Sequence, residues 1–250
     1  MGIISMPNLP QKRVRTVILS SQAPEALVEN INRRGIDIIT VDPCCDIPSP
    51  VASHADMLIN HLNKNRIIVY SSIFESISDK LQSIGFEVIK GNLTLKTTYP
   101  FDIAYNALRI GRFIFCLKEY TERELLNYCE TNEIKIVPVK QGYAKCSVCI
   151  VDEQSIITSD LGIATQAEKN GITALLIRSG YINLPGYEYG FIGGCCCKLS
   201  KDIIGFTGDI KLHPDYVNIK EFLLYRGIKD AALCEGTLND IGSIIPLIEE

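Results

Sequence analysis

The sequence predicts an α/β fold, a closed ring of five β-β-α-β modules related by approximate five-fold symmetry. Three observations predict it. A short hydrophobic strand recurs at intervals of about 40 to 50 residues. Each copy is followed by an amphipathic helix and then a second apolar strand, and the last residues resemble the lead strand that the first module lacks.

The recurring middle strands are read as Val17 to Ser20, Ile67 to Tyr70, Phe113 to Cys116, Ser155 to Thr158 and Ile203 to Phe206. The closing strands open at Gly35, Gly85, Asn132, Gly171 and Gly227, and in four of the five a glycine follows the helix, as a left-handed C-terminal cap requires. Between them lie the helices. Pro24 sits near an N-terminus ahead of the stripe Leu27, Val28 and Ile31. Phe74, Ile77, Leu81 and Ile84 form a second stripe, and Ile219, Phe222 and Leu223 another. Thr121 to Leu125 reads as a capping box, with Thr121 on the first-turn amides and Glu124 reaching back. One domain over 1–250 follows, with modules at about 13–45, 54–92, 100–140, 143–180 and 189–234, and 239–248 completing the first.

Counting along the lead strands sets Asp56, Asn60 and Arg66 against Asp102, Asn106 and Arg112. The same count puts Lys145 and Ile192 at the Asp position, and Cys149 and Cys196 at the Asn position. Near the C-terminus, Asp240-Ile241 resembles Asp56-Met57 and Asp102-Ile103, so the tail is expected to complete the first module and remove an open sheet edge.

At 250 residues and 46% hydrophobic, the chain can bury a substantial core. The longest apolar runs fall short of a bilayer span, and the first ten residues do not read as a secretory signal, so no membrane association and a cytoplasmic location are expected. A net charge of −4 without a basic stripe argues against nucleic acid. Ten cysteines are expected to be reduced and mostly to fill space as small hydrophobes.

Such a ring resembles the pentein fold, the five-bladed α/β propeller of the guanidino-group-modifying superfamily, and this chain is identified as a member of an uncharacterised bacterial family within it. The resemblance covers roughly Arg13 to Leu247. It implies deiminase, dimethylarginine hydrolase or amidinotransferase chemistry on C–N bonds of amidine-type compounds. Alternatively, it implies a non-catalytic module that binds a protein partner, as a ribosome anti-association factor of that fold does. In the enzymes a lead strand carries His-x-Asp, matched here by His54-Ala55-Asp56, and a Phe-Thr-Arg-Asp element is similar to the segments ending at Asp160 and Asp209. The catalytic cysteine of the family stands at the start of the final strand. Here that neighbourhood holds Asn239, Asp240 and Gly242, with Cys234 several residues too early. Either the loop is remodelled, another module supplies the thiolate, or the amidine chemistry is not performed.

The candidate catalytic residues are therefore His54 as acid/base, Asp56 as the guanidinium-holding carboxylate and Cys196 as nucleophile. His54, Asp56 and Asn60, on a strand, would share one face. Candidate ligand-binding residues are Asn60, Asp102, Asn106, Lys145, Cys149, Asp160, Asp209, Asn239 and Asp240, for a small cationic molecule. For Asp160 and Asp209 the alternative is a helix N-cap, and for the Asp/Asn pairs a set of hydrogen bonds tying module to module. Cys195 and Cys197 are expected to pack. Cys146 and Cys149 have zinc half-site spacing, but residues three apart on a strand face opposite ways, so no metal and no other cofactor are expected. The Gly/Tyr-rich connection Gly180 to Gly194 is a candidate lid, with Tyr187 and Tyr189 over the mouth.

Overall fold

A helix with one apolar stripe folds back on the strand before it because that stripe has no other cover. The computed structural model describes residues 1–250 and repeats this step five times, giving a mixed α/β molecule of five small sheets. The first unit holds β1 (Gly2–Ile3), β2 (Val14–Ser20), α1 (Glu25–Arg33) and β3 (Asp37–Val41). The second runs through α2 (Ala55–Leu58), β4 (Ile59–Asn63), β5 (Arg66–Val69), α3 (Phe74–Ser83) and β6 (Glu87–Lys90). In the third are β7 (Leu108–Ile110), β8 (Phe113–Cys116), α4 (Arg123–Thr131) and β9 (Lys135–Pro138). The fourth has β10 (Val148–Asp152), β11 (Ser155–Thr158), α5 (Leu161–Lys169) and β12 (Thr173–Leu176). The fifth has β13 (Cys196–Ser200), β14 (Ile203–Phe206), α6 (Tyr216–Tyr225) and β15 (Lys229–Ala232), and β16 (Ile245–Glu249) ends the chain.

In units two to five the lead strand pairs antiparallel with the middle strand, and the closing strand pairs parallel with it. The first sheet has the order β1-β16-β2-β3, so the C-terminal strand occupies the lead position, antiparallel to β2 with Ile245 opposite Ile18. The helices bury the residues their stripes predict, Leu27 and Ile31 in α1, Ile77 and Leu81 in α3, and Ile219 and Leu223 in α6. Four helices end on glycines with φ between +69° and +99°, whereas after α4 the left-handed position is Glu133, at +56°.

Two local expectations are corrected. The cap of α4 is Glu122, not Thr121: the Thr121 hydroxyl is already used on the Leu117 carbonyl at 3.0 Å, and the fully buried Glu122 carboxylate accepts from the Glu124 amide at 3.2 Å. The same carboxylate accepts from the amides of Asn92 and Leu93 and from the Tyr105 hydroxyl.

The lead-strand alignment also shifts. In each unit the first parallel pair joins a middle-strand residue to the residue two beyond the left-handed cap, which makes Thr16, Arg66, Phe113, Ser155 and Ile203 equivalent. Arg66 therefore matches Phe113 and Ile203 rather than Arg112. Asn60, Leu108, Cys149 and Cys197 each lie opposite the third residue of a middle strand, while Cys196 lies opposite the fourth, Phe206. Because side chains alternate along a strand, that single step moves Cys196 to the other face from Asn60. Asn106 falls before β7, which lacks the bulge-type register shift present in β4, β10 and β13. Counting four residues back from Asn60, Cys149 and Cys197 gives Asp56, Lys145 and Gly193.

Candidate functional site

His54 and Asp56 do not lie on a strand. Ala55–Leu58 forms one helical turn ahead of β4, with the Met57 amide bonded to the His54 carbonyl at 3.1 Å, so the shared-face argument for a strand does not apply. The two residues meet instead through the loop before β16. The Asp56 amide donates to the Gly242 carbonyl at 3.2 Å, and a Cβ on Gly242, where φ is +74°, would overlap the Cβ and Cγ of His54. Glycine is needed there for both reasons. Gly193 and Gly194 do the same from the other side. A side chain on Gly194 would overlap the Asp240 carboxylate, and one on Gly193 would collide with the carbonyls of Lys145, Cys146 and Val148.

These close approaches build a buried polar cluster. One oxygen of Asp56 accepts from the Ser243 hydroxyl and from the Cys146 thiol, the latter at 3.1 Å, and its other oxygen has no partner. Ser243 Oγ in turn accepts from Lys145 Nζ at 3.0 Å and lies 2.8 Å from the Gly193 carbonyl. Ser243 holds φ at +67°, a conformation a non-glycine residue keeps only when its surroundings over-determine it. Asn106 links three units: its carbonyl accepts from the amides of Lys145 and Cys146, and its amide donates to the Asp56 carbonyl at 3.1 Å and to Cys146 Sγ at 2.9 Å. Burial raises the Asp56 carboxyl above its ordinary range, against the pull of Lys145 and His54. Burial, followed by the charges of Asp56 and Asp240, pushes the Cys146 thiol well above its usual value. Cys146 is thus a protonated thiol at rest.

Asp240 accepts from the Phe191 amide at 2.9 Å and the Gly242 amide at 3.0 Å. Burial raises its carboxyl to about 6, and those two amides and Lys145 limit the rise. His54 is 5% exposed and its pKa is lowered by burial, with Asp56 opposing. Its Nδ1 lies 3.9 Å from Asp240 Oδ1, too far for a hydrogen bond, and the ring makes no other within the chain.

His54, Met57, Cys146 and Asp240 face a cavity of about 260 Å³. Tyr143, Tyr187, Tyr189 and Phe191 form its aromatic walls. Tyr187 and Tyr189 are 42% and 38% exposed and so stand at the mouth, where the connection before β13 was expected to lie as a lid. Asp102 is fully buried and acts on the cavity indirectly, accepting from the Tyr143 hydroxyl at 2.7 Å. Burial raises its carboxyl, and the Tyr143 hydrogen bond limits the rise.

Of the remaining sequence candidates, Lys145 belongs to the buried polar cluster, Asn239 lines a second cavity of about 320 Å³ with His54 and Asp240, and the others lie apart. Cys196, the expected nucleophile, packs with Cys149 and Cys195 in an apolar cluster containing Ile157 and Phe206, and Cys196 Sγ lies 3.9 Å from the Gly193 carbonyl. It does not line the cavity that holds His54. Asn60 donates to the Tyr105 and Ala107 carbonyls at 3.0 and 2.8 Å, a tie between units. Asp160 caps α5 through the Ile163 amide, and Asp209 accepts from the Lys211 amide. Asn239 accepts from the Asn183 side chain. Lys145 is spent on Ser243. Cys146 and Cys149 diverge, one to Asp56 and the other to the apolar cluster, and no group of three His, Cys, Asp or Glu is arranged to hold a metal ion. Cys146, Ser243, Tyr143, Glu188 and Phe191 were not foreseen at the site. Cys146 carried one available signal, its place beside Lys145 at the position of Asp56.

The family model for DUF6873, a family of unknown function, matches residues 18–245. The chain belongs to that family. No curated protein sequence matches it. Among solved structures, it is similar to a DDAH mutant from Pseudomonas aeruginosa in complex with citrulline, at 10% identity and TM-score 0.56 over 94% of this chain and 100% of that one. The inosamine-phosphate amidinotransferase of Streptomyces griseus is 9% identical with TM-score 0.56, covering 100% and 97% of the two chains. The agmatine deiminase of C. jejuni is 9% identical with TM-score 0.53, covering 91% and 90%. The chain shares its fold with these structures. No helix is long and apolar enough to cross a membrane.

Proposed function

We propose that the five units form a five-bladed propeller closed by β16, and that its cavity binds a small guanidinium or amidinium compound. The observation that carries this reading is the convergence of two unlike chemistries on one void: a buried carboxylate, Asp240, with an unpartnered imidazole beside it, and four aromatic rings. A planar organic cation satisfies both, donating to the carboxylate and lying against the ring faces. Asp240 uses two of about four acceptor sites on its backbone amides and keeps the rest. The likeness to proteins named for amidinotransferase and deiminase activity supports the same ligand class.

Of the thiols, Cys146 lines the cavity. Turnover would require it to lose its proton, and Asp56, 3.1 Å away, is the group placed to accept it. The sulfur would then add to the amidine carbon, the C–N bond would break as the amine takes the proton held by Asp56, and water, giving a proton to the neutral His54, would displace the sulfur, which recovers that proton as the thiol. Burial holds the thiol protonated until a cation enters and stabilises the thiolate.

Calorimetric titration with alkylguanidines tests the binding claim. Wild-type protein is expected to bind, Asp240→Asn to lose on the order of a hundredfold in affinity, and Cys146→Ser to bind without turnover. No binding by wild type, or equal binding by Asp240→Asn, would overturn the reading in favour of a ring that docks a protein.

A further inference from the structure

Resting on that cation-binding reading, we propose that the ligand is a guanidino or amidino compound that carries no carboxylate and bears an amine at its far end. The cavity has two acidic groups, and its one basic group, the His54 imidazole, has its pKa lowered by burial. Asp240 is 4% exposed and lies deep, Glu188 is exposed at the mouth between Tyr187 and Tyr189, and neither lysine nor arginine lines the wall. Between the two acids the surface is apolar, formed by Val51, Leu184 and the aromatic rings. That sequence of acid, apolar wall and acid fits a short methylene chain with a cation at each end.

A carboxylate at the tail would meet the opposite of what it needs. Lys145, the cation nearest the buried acids, donates to Ser243 and faces a separate small void beside Cys196, so it is not free to pair with a ligand. The Tyr143 hydroxyl is committed to Asp102. The side-chain donors left at the mouth are the neutral hydroxyls of Tyr187 and Tyr189, on either side of the Glu188 charge. An anionic tail would therefore find no cationic partner there and be repelled by Glu188. The second indication of a ligand is independent of these charges: the His54 imidazole is buried, borders this void and the adjoining one lined by Ser53 and Asn239, and makes no hydrogen bond within the chain. The volume, equal to about nine waters at 30 Å³ each, accepts such a molecule.

The test uses the full chain at physiological salt and three ligands with the same four-carbon chain: butylguanidine, 4-guanidinobutylamine and 4-guanidinobutanoate. The amine-tailed compound is expected to bind on the order of tenfold more tightly than butylguanidine, and the carboxylate-tailed one at least as much more weakly. Glu188→Gln should bring the amine-to-alkyl affinity ratio close to one. Tight binding of 4-guanidinobutanoate would overturn the exclusion of carboxylates while leaving the cation site standing, and equal affinity for amine and alkyl tails in wild type would overturn the role given to Glu188. Failure of all three to bind would remove the cation-binding reading itself, and this inference with it.

Discussion

Two cysteine neighbourhoods, equally buried, behave differently in the fold. Cys149, Cys195 and Cys196 share an apolar cluster, and Cys197 packs into another with Val14 and Ile244. Cys146 is equally buried, yet it receives a hydrogen bond from Asn106, gives one to Asp56 and faces the cavity. Burial raises the thiols of Cys195 and Cys197 as it raises Cys146. The three adjacent sulfurs drew attention in the sequence, but chemistry follows the partners of a sulfur rather than the number of sulfurs. Of these buried sulfurs, Cys146 is the one with polar partners, Asp56 and Asn106, that also lines the cavity of His54 and Asp240.

The largest effect that would sharpen this contrast comes from Gly194→Ala. Its Cβ would overlap the Asp240 carboxylate, so the cost should be roughly 3 to 4 kcal/mol in urea denaturation. Guanidinium affinity should be lost as well. Urea is the appropriate denaturant because guanidinium is itself an expected ligand. Cys196→Ala, in the apolar cluster, should cost only about 1 to 2 kcal/mol and leave affinity intact.

Next in size is the pH dependence set by Asp240. Its carboxyl is raised from 3.8 to about 6 in the folded chain, so the folded state holds this proton more tightly than the unfolded state does. The contribution is fully present below about 4 and is lost as pH rises through 6, amounting to on the order of 3 kcal/mol. Asp240→Asn should flatten the stability curve between pH 4 and 6, and an unchanged slope would remove the buried-carboxylate account. Ligand affinity should run the opposite way, falling below pH 6 as Asp240 takes up its proton.

Smaller effects separate the two thiol neighbourhoods directly. Cys195→Ser places a hydroxyl in an apolar cluster and should cost about 2 kcal/mol, whereas Cys146→Ser keeps Asp56 and Asn106 as partners and should cost under about 1 kcal/mol. In timed alkylation followed by peptide mass spectrometry, exposed Cys45 should react first, then half-buried Cys234. Cys146 should follow by way of the cavity, slowed by butylguanidine, and the apolar cluster last. Protection of Cys196 in place of Cys146 would reverse the comparison.

Much of this was legible in the chain itself. The recurring strand, the helix stripes and the glycine caps marked five units, and Asp240 near the tail pointed to the pairing of β16 with β2. Those signals are periodic or steric and therefore local. The residues around the void were only partly legible, because they depend on where each lead strand begins. A one-residue offset in matching Ile203 to the other middle strands was enough to misplace the face of Cys196, the same offset with the missing bulge in β7 misplaced the equivalence of Asn106, and one helical turn at Ala55–Leu58 took His54 and Asp56 off the strand. Ser243 and Glu188 gave no local sign, since their positions are set by contacts 50 or more residues distant, such as Ser243 with Gly193, and by the path of a long connection.

A crystal structure with butylguanidine bound tests the central claim most directly. The guanidinium should lie within hydrogen-bond distance of Asp240, beside the His54 imidazole, and its alkyl chain should run past Phe191 toward Tyr187 and Tyr189. Density for the ligand anywhere else on the molecule, with this cavity left to water, would contradict the account.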